Sequence, residues 1–434
     1  MASLRSGRGA ALIAALPTGT VPVALGLLVA GISAYAFQIL AFRVLGASSY
    51  AALNGLWVTA FVLAPGLFLP LEQEVARAVA HRHSQGQGMR PLIKKASLLG
   101  AVLIVAVVVV VVVLRAPIEE RLLRGSDELF GALIAVLIGF ALESLARGTL
   151  SGNGRFGRYG LVVGVDGLSR VALAGVIAAV SVGTLGWFGI AFAAAPFIAT
   201  IAGLAGARGL IEPGPPAAMS ELSTAIGWLL LGSVFCQALG YSAYIGASLI
   251  ATPAQDAELG GFVAGLFVAR VPLLLFQAVQ AALLPKLARM LGQGQVAEFR
   301  AGLLRLCSVL VVLSIVCVAV ALTIGPWLGR LLFGEKFELN AGGLAMLTAG
   351  CCLIVLALTL AQALIALQRY AVTGLAWVFG LAVFTVVFLL PDGDAFFRSE
   401  VAFLAGAAAA VAWMGVTAVR SLQSVDGAPV VSGD

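Results

Sequence analysis

Long apolar runs separated by short polar breaks recur along the whole chain. A bilayer core about 30 Å thick needs roughly 20 apolar residues to be crossed by one α-helix. Runs of that length predict an all-α polytopic membrane protein with about twelve transmembrane helices. The predicted spans are 18–40, 50–71, 96–114, 129–146, 159–182, 185–207, 222–250, 260–284, 301–324, 341–367, 371–390 and 401–419.

The positions of Lys and Arg predict the orientation of these spans. If the N-terminus is cytoplasmic, the breaks on that side hold more than twice as many Lys and Arg as the outer breaks. We therefore expect a multi-pass protein with both termini cytoplasmic. Arg preference over Lys and abundant Ala indicate a bacterial chain, which places it in the cytoplasmic (inner) membrane. The predicted organisation is a tail at 1–17, a six-helix bundle at 18–207, a linker at 208–221, a second bundle at 222–419 and a tail at 420–434.

Composition supports lipid as the main solvent. Hydrophobic residues make up 61% of the 434 residues and charged residues 11%, with a mean hydropathy of +1.07, whereas soluble domains are about 25% charged. The net charge of +6 is spread thinly and indicates no nucleic-acid partner. Two histidines in one loop and five cysteines inside apolar runs indicate no metal site, and no cofactor motif is present.

The two halves resemble each other weakly at an offset of about 210 residues. Two copies of a six-helix unit would share one orientation and enclose a cleft at their interface. Pro65 and Pro70 interrupt span two, and Pro272 interrupts span eight, its counterpart. Because proline removes a backbone donor and kinks a helix, these spans are predicted to be the helices that line the cleft and move.

Two arginines lie deep within spans, where charge is costly. Arg170 has Asp166 one turn earlier, so the pair either only fixes helix packing or turns Arg170 into the cleft to attract anions. Arg270 has no acidic residue within a turn, which favours a water-filled cavity or an anionic ligand. The candidate substrate-binding residues are Arg170, Arg270, Asp166, Gln237, Tyr241, Gln277 and Gln280.

Charged residues near the ends of spans form a second group. Glu72, Glu74 and Arg77 at the end of span two, with Arg43 in the first loop, are predicted to form a solvated cap or gate. The spacing of Glu143 and Arg147 predicts a plain interfacial salt bridge.

Four short motifs resemble the polysaccharide biosynthesis (O-antigen flippase-like) family of the multidrug, oligosaccharidyl-lipid and polysaccharide (MOP) exporter superfamily. They are the first-loop pattern at 42–51, the end of span two at 71–77, the apolar, Pro and basic motif at 282–289 and the Phe-Gly-acidic motif at 331–337. Span seven departs from the family pattern, because it offers Gln237 and Tyr241 where an acidic residue is common.

The resemblance implies a MATE/MOP-like transporter that moves a polyprenyl-diphosphate-linked oligosaccharide to the outer leaflet. It implies membrane lipid, a polysaccharide polymerase or glycosyltransferases as partners, and no catalytic residues. One alternative is a cation-coupled drug or metabolite antiporter of the same superfamily. A membrane polysaccharide polymerase or ligase and a non-transporting scaffold are further alternatives.

Overall fold

The part of the chain that the structure describes is almost entirely helical. The computed structural model describes residues 19–180, 184–218, 221–222, 226–276, 293–334, 339–390 and 393–426, together with 283, 287, 290, 291 and 337. No β-strand occurs among these residues. Apolar runs become helices because lipid offers no hydrogen bonds, so each backbone group must be satisfied inside its own segment.

Thirteen principal helices are labelled here in chain order. They are α1 (Thr20–Ser84), α2 (Arg90–Val113), α3 (Asp127–Gly152), α4 (Phe156–Ala179), α5 (Leu185–Leu204), α6 (Ile226–Gly240), α7 (Ser242–Ile250), α8 (Asp256–Ala269), α9 (Val296–Thr323), α10 (Gly325–Phe333), α11 (Ala341–Ala366), α12 (Tyr370–Phe388) and α13 (Ala395–Asp426).

The described helices account for the predicted spans. Ten are long and apolar enough to cross a membrane, and α6 with α7 forms an eleventh span bent by 60°. Helix α1 has 65 residues in two parts joined at Gly46, and these parts cover the first two predicted spans from residue 20 onward. The all-helical membrane fold with about twelve spans is therefore confirmed.

Helix α1 is broken at Gly46. This residue has φ 74° and ψ 167°, the only non-helical backbone within α1. Residues with a Cβ rarely adopt this conformation, whereas glycine does so at little cost. The predicted interruption at Pro65 and Pro70 is wrong, because α1 remains helical through both prolines.

Apolar surface is exposed along many of the helices. In α9 the buried residues are Phe299, Leu303, Leu310 and Ala321, whereas residues such as Ile315 are largely exposed. Exposed apolar surface on this scale is unfavourable in water and favourable in a bilayer. The chain is a multi-pass membrane protein.

The chain forms two compact units. Unit 1 comprises Met1–Val44, Leu67–Ala116 and Ser126–Ile226, and unit 2 comprises Leu45–Gly66, Pro117–Gly125 and Gly227–Asp434. Unit 2 thus includes two segments that precede the predicted linker at 208–221. The predicted division at that linker stays a prediction.

Small residues bring α1 and α4 together within unit 1. A Cβ on Gly160 would overlap the carbonyl oxygen of Pro22, and one on Gly167 would lie 2.7 Å from the Cα of Ala30. Glycines spaced along one helix face allow two backbones to approach closely in a membrane. This seam of Gly160 and Gly167 fixes the helix that carries Asp166 and Arg170.

Aromatic side chains pack the 45–66 segment within unit 2. Trp57 stacks on Phe61 with ring centroids 4.6 Å apart and meets the edge of Phe267 at 5.9 Å. The buried hydroxyl of Tyr244 donates a hydrogen bond of 3.0 Å to the carbonyl oxygen of Ala51. These contacts attach the segment to α7 and α8.

Candidate functional site

A buried charged network in unit 1 centres on Arg147 of α3. Its Nη1 lies 2.9 Å from Oε1 of Glu143, and its Nε and Nη2 lie 2.9 and 2.8 Å from Oε2 of Glu72. The hydroxyl of Tyr159 donates to Oε1 of Glu72 over 3.0 Å. The network therefore joins α1, α3 and α4 through hydrogen-bonded charges, which are stronger than neutral hydrogen bonds.

Two glycines on α3 let the α1 backbone reach this network. A Cβ on Gly148 would lie 2.7 Å from the carbonyl oxygen of Glu72, and one on Gly152 would lie 2.6 Å from that of Ala76. The Glu143–Arg147 pair predicted from the spacing is present, but it is not a plain interfacial bridge. Glu143 is 0% exposed, and Glu72, predicted to belong to a gate, is the second partner of Arg147.

Asp166 and Arg170 pair on α4, as their i, i+4 spacing predicts. Nη2 of Arg170 lies 2.9 Å from Oδ1 and 2.7 Å from Oδ2 of Asp166. The guanidinium also lies over the ring of Phe192, with 4.8 Å from Cζ to the centroid. Arg170 is 2% exposed, so the carboxylate and the aromatic face stabilise its charge in an apolar environment.

Two of the remaining predicted gate residues, Glu74 and Arg77, lie in unit 1 in the last part of α1. Nε of Arg77 donates to Oε2 of Glu74 over 3.0 Å, and its Nη2 donates to the carbonyl oxygen of Glu221 over 2.6 Å. Arg43 is exposed on α1, just before the Gly46 break. Glu74 and Arg77 therefore form a local pair, and a gating role stays a prediction.

Arg82 is buried and binds the segment around Glu221, a role that the sequence did not predict. Its Nε and Nη2 donate to the two carboxylate oxygens of Glu221 over 2.7 and 2.9 Å. Further bonds go to the carbonyl oxygens of Gly88, Pro215 and Pro216. The hydrogen bonds from Arg82 lower the pKa of Glu221 below its ordinary value. A basic residue in a polar loop resembles many others, so its burial is not visible in the sequence.

Two broken helices meet at Arg270 in unit 2. Tyr241 marks the 60° bend between α6 and α7, and α8 ends at Ala269, leaving Arg270 in a turn with φ −85° and ψ −1°. The break precedes Pro272, which lacks the N–H that would continue the helical ladder. The predicted interruption of span eight is therefore confirmed.

Arg270 stacks on Tyr241 and retains N–H groups that can donate further hydrogen bonds. Its Cζ lies 3.7 Å from the ring centroid, close enough for a cation–π interaction. The side chain is half-buried, and among the described residues its Nη1 has no hydrogen-bond partner and no carboxylate forms an ion pair with it.

Gln237 donates a hydrogen bond to the backbone of α1 within unit 2. Its Nε2 donates to the carbonyl oxygen of Phe61 over 2.9 Å, which Pro65 cannot bond because it has no N–H. Ser233 donates to the carbonyl oxygen of Pro65 over 3.2 Å. Gln237 therefore has a structural partner, and its predicted contact with substrate stays a prediction.

Gln277 and Gln280 lie outside the described residues. Within the described ranges, no three His, Cys, Asp or Glu side chains form a group that could hold a metal ion.

Comparison with known proteins gives structural but not sequence matches. No family model matches the chain, and no curated protein matches it. The chain is similar to an inward-facing multidrug resistance MATE family transporter of the MOP superfamily, with a TM-score of 0.72 and 14% identity over 96% of this chain and 100% of that one. An outward-facing structure of such a transporter gives 0.67 and 13% over 94% and 95%. A mutant of the Vibrio cholerae MATE transporter VcmN gives 0.65 and 17% over 94% and 96%.

At these identities the similarity establishes the fold, which is that of MATE transporters of the MOP superfamily. The superfamily fold implied by the sequence motifs is confirmed. Two of these three structures are of multidrug resistance transporters; whether this chain belongs to the antiporter or the flippase branch stays a prediction.

Proposed function

We propose that this chain is a secondary transporter that exports an organic solute by alternating access in exchange for a cation. The observation that carries the proposal is the MATE fold, shared over 96% of this chain and the full length of a multidrug resistance transporter. The helix breaks at Tyr241 and Arg270 support it, because interrupted membrane helices supply polar groups at binding sites.

Dye efflux from proteoliposomes tests this proposal. The purified chain is reconstituted into liposomes loaded with ethidium or with the aromatic sulfonate anilinonaphthalene sulfonate. We expect an imposed Na⁺ or H⁺ gradient to accelerate release of at least one dye above the rate of empty liposomes. Release no faster than from empty liposomes, for both dyes and both gradients, would contradict the proposal.

One observation favours a second candidate function, translocation of a lipid-linked oligosaccharide. The guanidinium of Arg270 has a buried Nη1 without a partner in the described part of the chain, and a guanidinium binds phosphate oxygens through paired donors. A polyprenyl diphosphate would supply such oxygens. The partners of this chain would then be the glycosyltransferases that make the lipid-linked oligosaccharide and the polymerase that uses it.

The same proteoliposomes distinguish the two functions. A fluorescent polyprenyl-diphosphate oligosaccharide is placed in the membrane, and its exposure at each leaflet is followed with a membrane-impermeant quencher. For the second function, Arg270→Ala abolishes the movement of this lipid while membrane insertion remains intact. Arg300→Ala is the matched control, because Arg300 is exposed on α9 of the same unit. Normal movement in Arg270→Ala would exclude the diphosphate role.

A further inference from the structure

The buried network in unit 1 contains more carboxylates than guanidinium groups. With the Asp166–Arg170 pair, which interacts electrostatically with Glu143, the network has three carboxylates, Glu72, Glu143 and Asp166, and two guanidinium groups, Arg147 and Arg170. If all five are ionised, the network carries one uncompensated negative charge. Such a charge is costly in an apolar interior and is usually removed by binding a proton or a cation.

The hydrogen bonds identify which carboxylate is under-compensated. Both oxygens of Glu72 are bonded, one by Arg147 and the other by Tyr159. Both oxygens of Asp166 contact Arg170. Glu143 has only Oε1 bonded, and its Oε2 is buried with no hydrogen-bond partner among the described residues.

The elements packed around Glu143 supply no further balancing charge near it. Helix α5 has no charged residue, and α2 meets α3 through Gly100, beyond the basic residues of its first turns. On α1 the next charges, Glu74 and Arg77, neutralise each other. The charged and titratable groups facing Glu143 are Glu72, Arg147, Tyr159, Asp166 and Arg170.

We propose that Glu143 is a proton-binding site and that its proton is the coupling ion of the export proposed above. The inference rests on that proposed function for its role in transport. The side chains of Arg147 and Asp166 are 19% and 14% exposed, so the network is not completely enclosed by the helices around it. Oε2 of Glu143 accepts one proton from a hydronium ion, an O–H bond forms, a water molecule is released and the network becomes neutral.

Protonation changes how Arg147 is shared. When Glu143 is ionised, Arg147 is divided between Glu143 on its own helix and Glu72 on α1. When Glu143 is neutral, the charge of Arg147 is balanced by Glu72 alone, which strengthens the bond from α3 to α1. Proton binding thereby alters the attachment of two helices within unit 1.

Infrared spectroscopy of the purified protein tests the proton site directly. The C=O stretch of a protonated carboxylic acid, which a carboxylate lacks, is followed while the pH is varied between about 5 and 9. We expect a titrating buried carboxylic acid band in the wild type and a weaker one in Glu143→Gln, in which Glu400, also buried, still contributes. The matched control is Glu128→Gln, which removes an exposed carboxylate from the same helix and leaves the band unchanged.

Glu72→Gln tests charge balance while Glu143 remains in place. The network then has two carboxylates and two guanidinium groups, so Glu143 stays ionised and the band weakens as it does in Glu143→Gln. A merely structural role for Glu72 would leave the band at its wild-type intensity. This variant also keeps the test informative if Glu143→Gln does not fold.

Transport measurements separate this inference from the proposed function. With a pH gradient as the only driving force, dye export in Glu143→Gln falls to the level of empty liposomes, while release down the dye's own gradient persists. Wild-type pH-driven export in Glu143→Gln, or no titrating band in the wild type, overturns the inference. A wild type that releases no dye under any gradient contradicts the proposed function, and the infrared band still decides whether Glu143 binds a proton.

Discussion

At the scale of single residues, the buried charges of unit 1 are arranged in two different ways. Arg82 donates to both oxygens of Glu221 and to three carbonyl oxygens, so its charge is fully hydrogen-bonded. Glu143 has one oxygen bonded and one without a partner in the described residues. The first arrangement favours a fixed structure, and the second favours a change of protonation.

The Arg82–Glu221 pair predicts a dependence of stability on pH. Because the folded state lowers the pKa of Glu221, its stabilisation is complete above the unfolded value of about 4.3 and is lost as the pH falls through the lower folded value. At pH near 7, Glu221→Gln should reduce the free energy of unfolding by about 1–3 kcal/mol.

Thermal unfolding in detergent at a series of pH values measures this effect. The difference between wild type and Glu221→Gln should shrink as the pH falls below about 4. Glu212→Gln, an exposed glutamate of the same linker, should show no such difference at any pH. A difference for Glu221→Gln that stays constant with pH would rule out the ion pair as its cause.

At the scale of elements, glycines determine how closely the helices of unit 1 approach. Gly148 and Gly152 place the α1 backbone against α3, and Gly160 and Gly167 place its first span against α4. Of these, Gly148 lies against the backbone of Glu72 itself, next to Arg147 on α3. The absence of a side chain there lets α1 approach α3 at the charged network.

The α1–α4 seam gives a direct mutational test. Gly160→Val should destabilise the protein by about 1–3 kcal/mol, because the added side chain would overlap the Pro22 carbonyl and force the helices apart. Gly175→Val is the control on the same helix, since a Cβ there has no neighbour within 4 Å. Melting temperature and monodispersity in detergent measure the effect. Equal stability of the two variants would show that the seam is not tightly packed.

At the scale of the whole molecule, the sequence predicted the spans better than the contacts between them. Apolar length alone identified the helices, since a bilayer sets that length. The pairs Asp166–Arg170 and Glu143–Arg147 were predictable because both members lie one turn apart on one helix. The Glu72–Arg147 and Arg82–Glu221 bonds join residues 75 and 139 positions apart, and no local spacing encodes them.

The predicted orientation of the whole chain is testable by chemical labelling. In a variant whose five cysteines are replaced, single cysteines at Gln87 and Asn153 should react with a membrane-impermeant maleimide only from the cytoplasmic side. Cysteines at Asp127 and Ala254 should react only from outside. All four positions lie at or beside helix ends. Labelling of Gln87→Cys from outside in intact cells would show that the orientation is opposite to the predicted one.

The passage of α1 through both units has a consequence for biosynthesis. Residues 45–66 belong to unit 2, but their partners Gln237 and Tyr244 follow 176 and 193 residues later in the chain. During synthesis this segment enters the membrane long before those partners exist. Until then, the polar side chain of Asn54 and the carbonyl oxygen of Phe61, which lacks its donor Gln237, contact water, lipid or another protein. The second unit therefore completes its folding only after most of the chain has left the ribosome.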